Sequence, residues 1–275
     1  MTLSPYTTLA KTLALQAGRI SLKAFTSQSF TVSTKPDNTL VTEIDQQIET
    51  LWRQQITTHF PDHSIYGEEQ GRDDKNSDYV WYLDPLDGTT NFTHGIPIFC
   101  HMIALAHNGQ TISSVINFPL TKQLFWAHQG RGAYVNDHRL RAVDPPQPNQ
   151  LAIHIDSGGT AESKKKLGHL HQKIAGHFRT DRRMGSIAAS LLPLAAHQPT
   201  AYFVTNTSPH DIIPAALIYQ EAGLVLLNLN GKPWNTTDDT LIACPSSVKN
   251  YLLKLSLSNK YSCWIRFFQP LPSIP

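Results

Sequence analysis

The stretch Trp81-Tyr-Leu-Asp84-Pro-Leu-Asp87-Gly-Thr-Thr-Asn-Phe92 runs from β formers into two aspartates, then into glycine and two threonines. Residues 79–83 are apolar and aromatic and predict a strand. Pro85 is expected to stop its ladder, because proline has no amide hydrogen to donate. Asp87 follows Asp84 by three residues, and Gly88-Thr89-Thr90 can open a helical turn. Carboxylates at a strand end and a helix start can converge on one point, where hard oxygen ligands suit Mg2+ or Mn2+. The amides of Gly88, Thr89 and Thr90, without acceptors inside the helix, can take a phosphate. A cation site beside an anion site is what a metal-dependent phosphatase requires, since the cations neutralise phosphoryl oxygens and activate water. An Asp-rich turn would explain Asp-x-x-Asp-Gly alone; it would not explain the whole string.

Upstream, residues 42–59 predict a helix with Thr42 as N-cap and an apolar stripe of Ile44, Ile48, Leu51 and Ile56, ended by Pro61. Residues 7–25 predict another, from Leu9, Leu13, Ala17, Ile20 and Ala24. Downstream, runs of β formers at 99–106, 111–117, 123–127 and 133–135 predict strands, with Asn108-Gly109 marking a hairpin. Residues 1–145 therefore read as helices on an antiparallel sheet, carrying most of the candidate metal ligands. The segment Asp144-Pro-Pro-Gln-Pro-Asn149 is a composition break. Beyond it, strands at 151–155, 177–180, 200–204 and 224–227 alternate with helices at 161–175, 186–197, 211–222 and 246–256. Residues 146–257 thus read as an α/β half supplying the last ligand and the substrate contacts. The tail 258–275 is aromatic and proline-rich, and no role is assigned to it.

Three further segments carry acids. Glu68, in Tyr66-Gly67-Glu68-Glu69, is a surface-turn residue or a third metal ligand. Asp211 opens the apolar run Ile212, Ala215, Ala216, Tyr219, where it caps a helix or binds metal. Asp45 lies in the first turn of the 42–59 helix, where the helix dipole favours it, and it could also hold the hydroxyl of Thr89 so that a water is positioned. From Glu43 to Asp87 there are 11 acidic and three basic residues, a cation site or a solvated acidic face; Asp73, Asp74 and Asp78 suit the latter.

The chain has 275 residues and is 40% hydrophobic, enough for a sizeable core. A net charge of only +2 gives no support for a nucleic-acid or membrane partner. Three widely spaced cysteines, Cys100, Cys244 and Cys263, without a CxxC suggest the reducing cytoplasm. The N-terminus lacks the basic start and apolar core of a signal peptide, and no apolar run approaches membrane-span length. The histidines are scattered, with no pair at a zinc-protease spacing, and there is no GxSxG or P-loop.

Together, the Gly67-Glu68-Glu69 triplet, the Trp81–Phe92 string, the Arg182-x-x-Gly185-Ser186 stretch and the Asp211 helix start resemble the inositol monophosphatase family of lithium-sensitive, magnesium-dependent phosphatases. They occur in family order, and the resemblance spans roughly residues 7–250. It implies a layered αβαβα sandwich, of mixed α+β and α/β character, like that of fructose-1,6-bisphosphatase. By family pattern Glu68, Asp84 and the Leu86 carbonyl would hold one Mg2+, and Asp84, Asp87 and Asp211 a second. Glu68 would help with a third. Thr89, backed by Asp45, would activate water. The Gly88 and Thr89 amides, with Thr90 beside them, would grip the phosphate. Gly185 and Ser186 would approach the alcohol of a small phosphorylated metabolite, and homodimers are common in the family. Two positions depart from the pattern. His210 stands where the family has tryptophan, and Val204 where it has an inositol-binding glutamate. Modest selectivity for inositol 1-phosphate follows, or a different substrate: histidinol phosphate, fructose 1,6-bisphosphate or a nucleotide. A family member used for binding or regulation is the alternative of another class.

Overall fold

The computed structural model describes residues 3–257; the tail 258–275, with Cys263, lies outside them. The chain opens with α1 (Pro5–Ser27), the short hairpin β1 (Val32–Thr34) and β2 (Leu40–Thr42), and α2 (Glu43–His59). Thr42 caps α2 as its sequence predicts: its hydroxyl accepts from the amides of Ile44 and Asp45, and the Asp45 carboxylate accepts from the Thr42 amide. Next come β3 (Ser64–Gly67), β4 (Gly71–Asp73), β5 (Tyr79–Asp87) and the one-turn helix α3 (Thr89–Thr93). A meander follows: β6 (Cys100–His107), β7 (Gln110–Phe118), β8 (Gln123–His128), β9 (Ala133–Val135) and β10 (His138–Leu140). The remainder comprises β11 (Ala152–Ser157), α4 (Ala161–Ile174), β12 (Thr180–Arg182), α5 (Leu191–Ala195), β13 (Thr200–Thr205), α6 (Pro209–Glu221), β14 (Val225–Leu227), β15 (Leu241–Cys244) and α7 (Lys249–Leu257).

An eight-stranded sheet runs β10-β9-β8-β7-β6-β5-β3-β4, and a five-stranded sheet runs β12-β11-β13-β15-β14. The large sheet is antiparallel except for the parallel pair β3/β5. In the small sheet β11 is parallel to both β12 and β13, while β15 runs antiparallel to β13 and β14.

The period-two pattern of the strands builds the layers. Trp81, Leu83, Ile103 and Leu105 point to one side of the large sheet and pack with Leu13, Ile48 and Trp52 of α1 and α2. Met102, Ile116 and Phe125 point to the other, against Ala215, Ile218 and Tyr219 of α6. Tyr202, Val204, Leu241 and Ala243 close the same core from the small sheet. Ile153, Ile155, Ala201 and Phe203 face outward onto Leu167 and Leu170 of α4 and Leu252 of α7. The result is the αβαβα sandwich, with one core shared between residues before and after the 144–149 break.

The local differences from the sequence reading have physical causes. Strand β5 does not stop at Pro85. It continues to Asp87 through an irregularity between Asp84 and Asp87, because a bulge leaves the proline nitrogen out of the ladder. Strand β15 has no counterpart in the reading, since four apolar residues in a row carry no alternation. The helix expected over 186–197 is a 3-10 turn (Ile187–Ser190) followed by α5. The strand expected at 177–180 lies at Thr180–Arg182, where it pairs with β11.

Candidate active site

The irregularity in β5 organises the site. Asp84 and Asp87 are both buried. The Asp84 Oδ1 accepts from the Leu86 amide at 3.0 Å, which turns the chain within the bulge. Asp87 reaches across to the second half of the molecule. It accepts from the Ser186 hydroxyl at 2.7 Å and from the amides of Ile187 and Ala188, both at 2.9 Å. From the same side, Asn91 Nδ2 donates to the carbonyls of Met184 (2.7 Å) and Ile98 (2.8 Å). Segment 184–188 is thereby pinned onto the start of α3. Gly88 lies between them with φ +91°, and a Cβ there would come within 2.9 Å of the Ile98 carbonyl oxygen. A side chain at 88 is therefore excluded twice, by backbone conformation and by space.

Thr89 Oγ1 lies 3.1 Å from Asp45 Oδ1 and 2.9 Å from the Leu86 carbonyl oxygen, and its one hydrogen serves either acceptor. The other Asp45 oxygen is held by the Thr42 amide at 2.8 Å and the Thr42 hydroxyl at 2.5 Å. Asp45 is thus both capping residue and hydroxyl partner. Burial pushes its carboxyl up to about 6, against the pull of its Thr42 hydrogen bonds.

Glu68 follows β3, and its carboxylate takes the Lys35 ammonium at 2.8 Å; the same ammonium reaches Glu69 at 2.7 Å. Burial, then Glu68, push the Glu69 carboxyl up to about 7. The turn is anchored from beneath by fully buried Glu49, which accepts from the Glu69 amide (2.7 Å), the Gln70 amide (3.0 Å) and Arg53 Nε (2.8 Å). Asp211 is the third residue of α6 and not its N-cap: Ser208 is the cap, and the Asp211 carboxylate completes a capping box, accepting from the Ser208 amide at 3.0 Å and from the Thr207 hydroxyl. His210 Nε2 stands 3.4 Å from Asp211 Oδ1, and the His210 ring meets Tyr66 edge-on.

Burial raises the carboxyl of Asp84 well above the usual range, and Glu68, Asp87 and Asp211 raise it further. Burial likewise raises Asp87 and Asp211; hydrogen bonds from Ala188, Ser186 and Ile187 offset it at Asp87, and His210 at Asp211. Buried acids that raise one another are a donor set short of positive charge, and hard oxygens in that state fit Mg2+ or Mn2+. The acids are brought to one region, where Glu68, Asp87 and Asp211 all act on Asp84. Among the described residues, no three of His, Cys, Asp and Glu are set to hold an ion together. The reason is local. Glu68 is taken up by Lys35, Asp87 by segment 186–188, and Asp211 by the capping box of α6.

His101 went unnoticed in the sequence as one of many scattered histidines. It is fully buried, with Nδ1 2.6 Å from the Pro85 carbonyl and Nε2 2.8 Å from Ser21 Oγ of α1. A carbonyl only accepts, so Nδ1 carries the hydrogen and Nε2 accepts from Ser21. Burial pushes this ring down to about 4, so it stays neutral and braces the bulge. Glu49 and Lys35 were missed as well, because only their tertiary contacts distinguish them from surface charges.

Buried carboxylates at a bulge, a threonine–aspartate pair and a glycine-opened helical turn between two sheets define a phosphatase of the layered α/β sandwich type. Comparison with known proteins makes the assignment specific. The model of the inositol monophosphatase family matches residues 2–260, and the chain belongs to that family. A Nus factor SuhB of Pasteurella multocida is 34% identical over 92% of this chain and 96% of its own length. An inositol-1-monophosphatase of Mesorhizobium japonicum is 30% identical over 88% of this chain and 92% of its own. The crystal structure of the extragenic suppressor protein suhB of Bartonella henselae superposes with a TM-score of 0.85 at 25% identity, covering 93% of this chain and all of that one. No helix among the described residues is long and apolar enough to cross a membrane.

Proposed function

We propose that the chain hydrolyses a small, inositol-1-phosphate-like phosphate monoester with Mg2+, by direct attack of water. The observation that carries this reading is the β5 bulge, which sets Asp84 and Asp87 beside the Thr89–Asp45 pair. Glu68, Asp84, the Leu86 carbonyl, Asp87 and Asp211 would hold two or three Mg2+, with Mn2+ as a substitute. The bound cations would neutralise phosphoryl oxygens and supply a nucleophile at neutral pH, so no covalent phosphoenzyme is required. Using its own residues, the chain would grip the phosphate with the first-turn amides at Gly88, Thr89 and Thr90. The Thr89 hydroxyl would orient the attacking water, and Asp45, fixed by Thr42, would hold that hydroxyl in line. Segment 184–188 would present Gly185 and Ser186 to the alcohol. Loading the site requires Glu68 to leave Lys35, so activity should rise with Mg2+ concentration.

The test is a panel of phosphate esters with and without Mg2+: inositol 1-phosphate, histidinol phosphate, fructose 1,6-bisphosphate and a nucleotide. Mg2+-dependent turnover of at least one is expected, in a protein of the cytoplasm acting alone or as a homodimer. Li+ at millimolar concentration is expected to inhibit; rates indifferent to tens of millimolar Li+ would remove the chain from the lithium-sensitive branch. Relatives named as Nus factors motivate a second reading, a binding or regulatory protein with incidental catalysis. Absence of turnover on the whole panel would favour it.

A further inference from the structure

Val204 leaves β13 without the carboxylate that would read a substrate hydroxyl, and no acid occurs between Asp181 and Asp211. The next strand supplies one. In the parallel pair β11/β13, Asp156 is the register partner of Val204. Register partners project from the same face of a sheet, and this is the face turned toward α6 and segment 184–188, since Ile153 and Ile155 take the other. We propose that Asp156 is the specificity-determining residue of this phosphatase: its carboxylate accepts from a hydroxyl of a polyol leaving group, the task that position 204 cannot perform. The inference rests on the phosphatase reading above and deepens it.

Four observations support the assignment. Asp156 is 5% exposed, an uncommon place for a carboxylate without a task. Its Oδ1 stands 3.7 Å from Arg183 Nε, next to the segment pinned to the phosphate grip, and the charge of Asp87 acts on its carboxyl. Its protein partners leave acceptor capacity free. Oδ1 takes the Ser157 amide at 3.0 Å, and Arg183 Nε stands off at 3.7 Å, beyond hydrogen-bond length. Finally, Tyr202, two residues before Val204 on the same face, is 2% exposed and its hydroxyl has no partner among the described residues. Tyr202 shares the sheet face of Asp156, and the charges of Asp156, Asp87 and Asp211 act on its hydroxyl, a second hydrogen-bonding group on that face. A leaving alcohol with several hydroxyls satisfies both. Arg183 is half exposed beside Asp156.

The experiment uses the full chain with Mg2+ and a matched pair of esters, myo-inositol 1-phosphate and cyclohexyl phosphate, which share a ring and differ in hydroxyls. The readout is the ratio of kcat/KM for the two. Asp156→Asn, nearly isosteric, is expected to lower that ratio by about tenfold to a hundredfold, the worth of one hydrogen bond to a charged group. Asp156→Ala should do the same, and Val204→Glu added to Asp156→Ala should restore part of the ratio by returning the carboxylate to the neighbouring strand. A ratio unchanged by Asp156→Asn, or equal losses on both esters, would overturn the assignment and leave the phosphatase reading standing. Wild-type protein that hydrolyses neither ester, nor any other of the panel, would overturn both.

Discussion

Asp87 and Asp156 are both buried acids, and the protein holds them in opposite ways. Asp87 is clamped by the Ser186 hydroxyl and the Ile187 and Ala188 amides. Asp156 has one short amide contact and a guanidinium that stands away from it. The first arrangement belongs to chemistry common to any phosphate ester, where an error of a few tenths of an ångström is costly. The second suits recognition, where a group must remain able to accept from an incoming ligand. On the large-sheet side His101, Glu49 and the capping box of α2 add further hydrogen bonds that fix the backbone.

The largest effect is expected at the rigid side. Asp84→Asn should lower Mg2+-supported kcat by about a thousandfold or more, several kcal/mol of lost charge stabilisation. Initial rates at saturating Mg2+ measure it, and near-normal turnover would sink the ligand assignment.

The next effect concerns Asp156 and stability. Burial pushes its carboxyl from the ordinary aspartate range up to about 6, with the Ser157 amide and Arg183 pulling the other way. A raised carboxyl binds its proton more tightly in the folded than in the unfolded chain. Its contribution to stability is therefore complete below about pH 4 and is lost as pH rises through about 6. Relative to Asp156→Asn, which does not titrate, the wild type should lose up to about 3 kcal/mol between about pH 4 and pH 7. Urea unfolding of the metal-free proteins across that range tests it. A difference independent of pH would mean that Asp156 is well solvated.

A smaller effect is expected at Ser186. Ser186→Ala removes one of three oxygen- and nitrogen-borne donors to Asp87 and leaves the two amides. A loss of about tenfold in kcat/KM, about 1.5 kcal/mol, is expected. A loss as large as that from Asp84→Asn would show that the clamp is less redundant than its geometry. Asp73→Asn should change little. Its side chain is 52% exposed and pairs with Lys75 at 3.9 Å, so activity should be unchanged and stability should stay within about 0.5 kcal/mol of wild type.

What the sequence determined by itself was local. The β-former runs of β5 and β6, the apolar stripes of α1 and α2, the Thr42 cap and the glycine at 88 are each written within a few consecutive residues, and the hydrogen bonds they dictate close over the same span. The acidic set Glu68, Asp84, Asp87 and Asp211 was legible for that reason, each at the end or start of an element the sequence could mark. Other features depended on which strands became neighbours. Strand β15 is an unpatterned apolar run that pairs only because β13 and β14 lie on either side of it. His101 matters because α1 brings Ser21 to it across the sheet. Asp156 stands opposite Val204 although 48 positions separate them in the chain, because a parallel register equates residues that no local pattern connects. Hydrophobic burial sets which faces meet, and only then does a carboxylate on one strand come to serve a gap on the next.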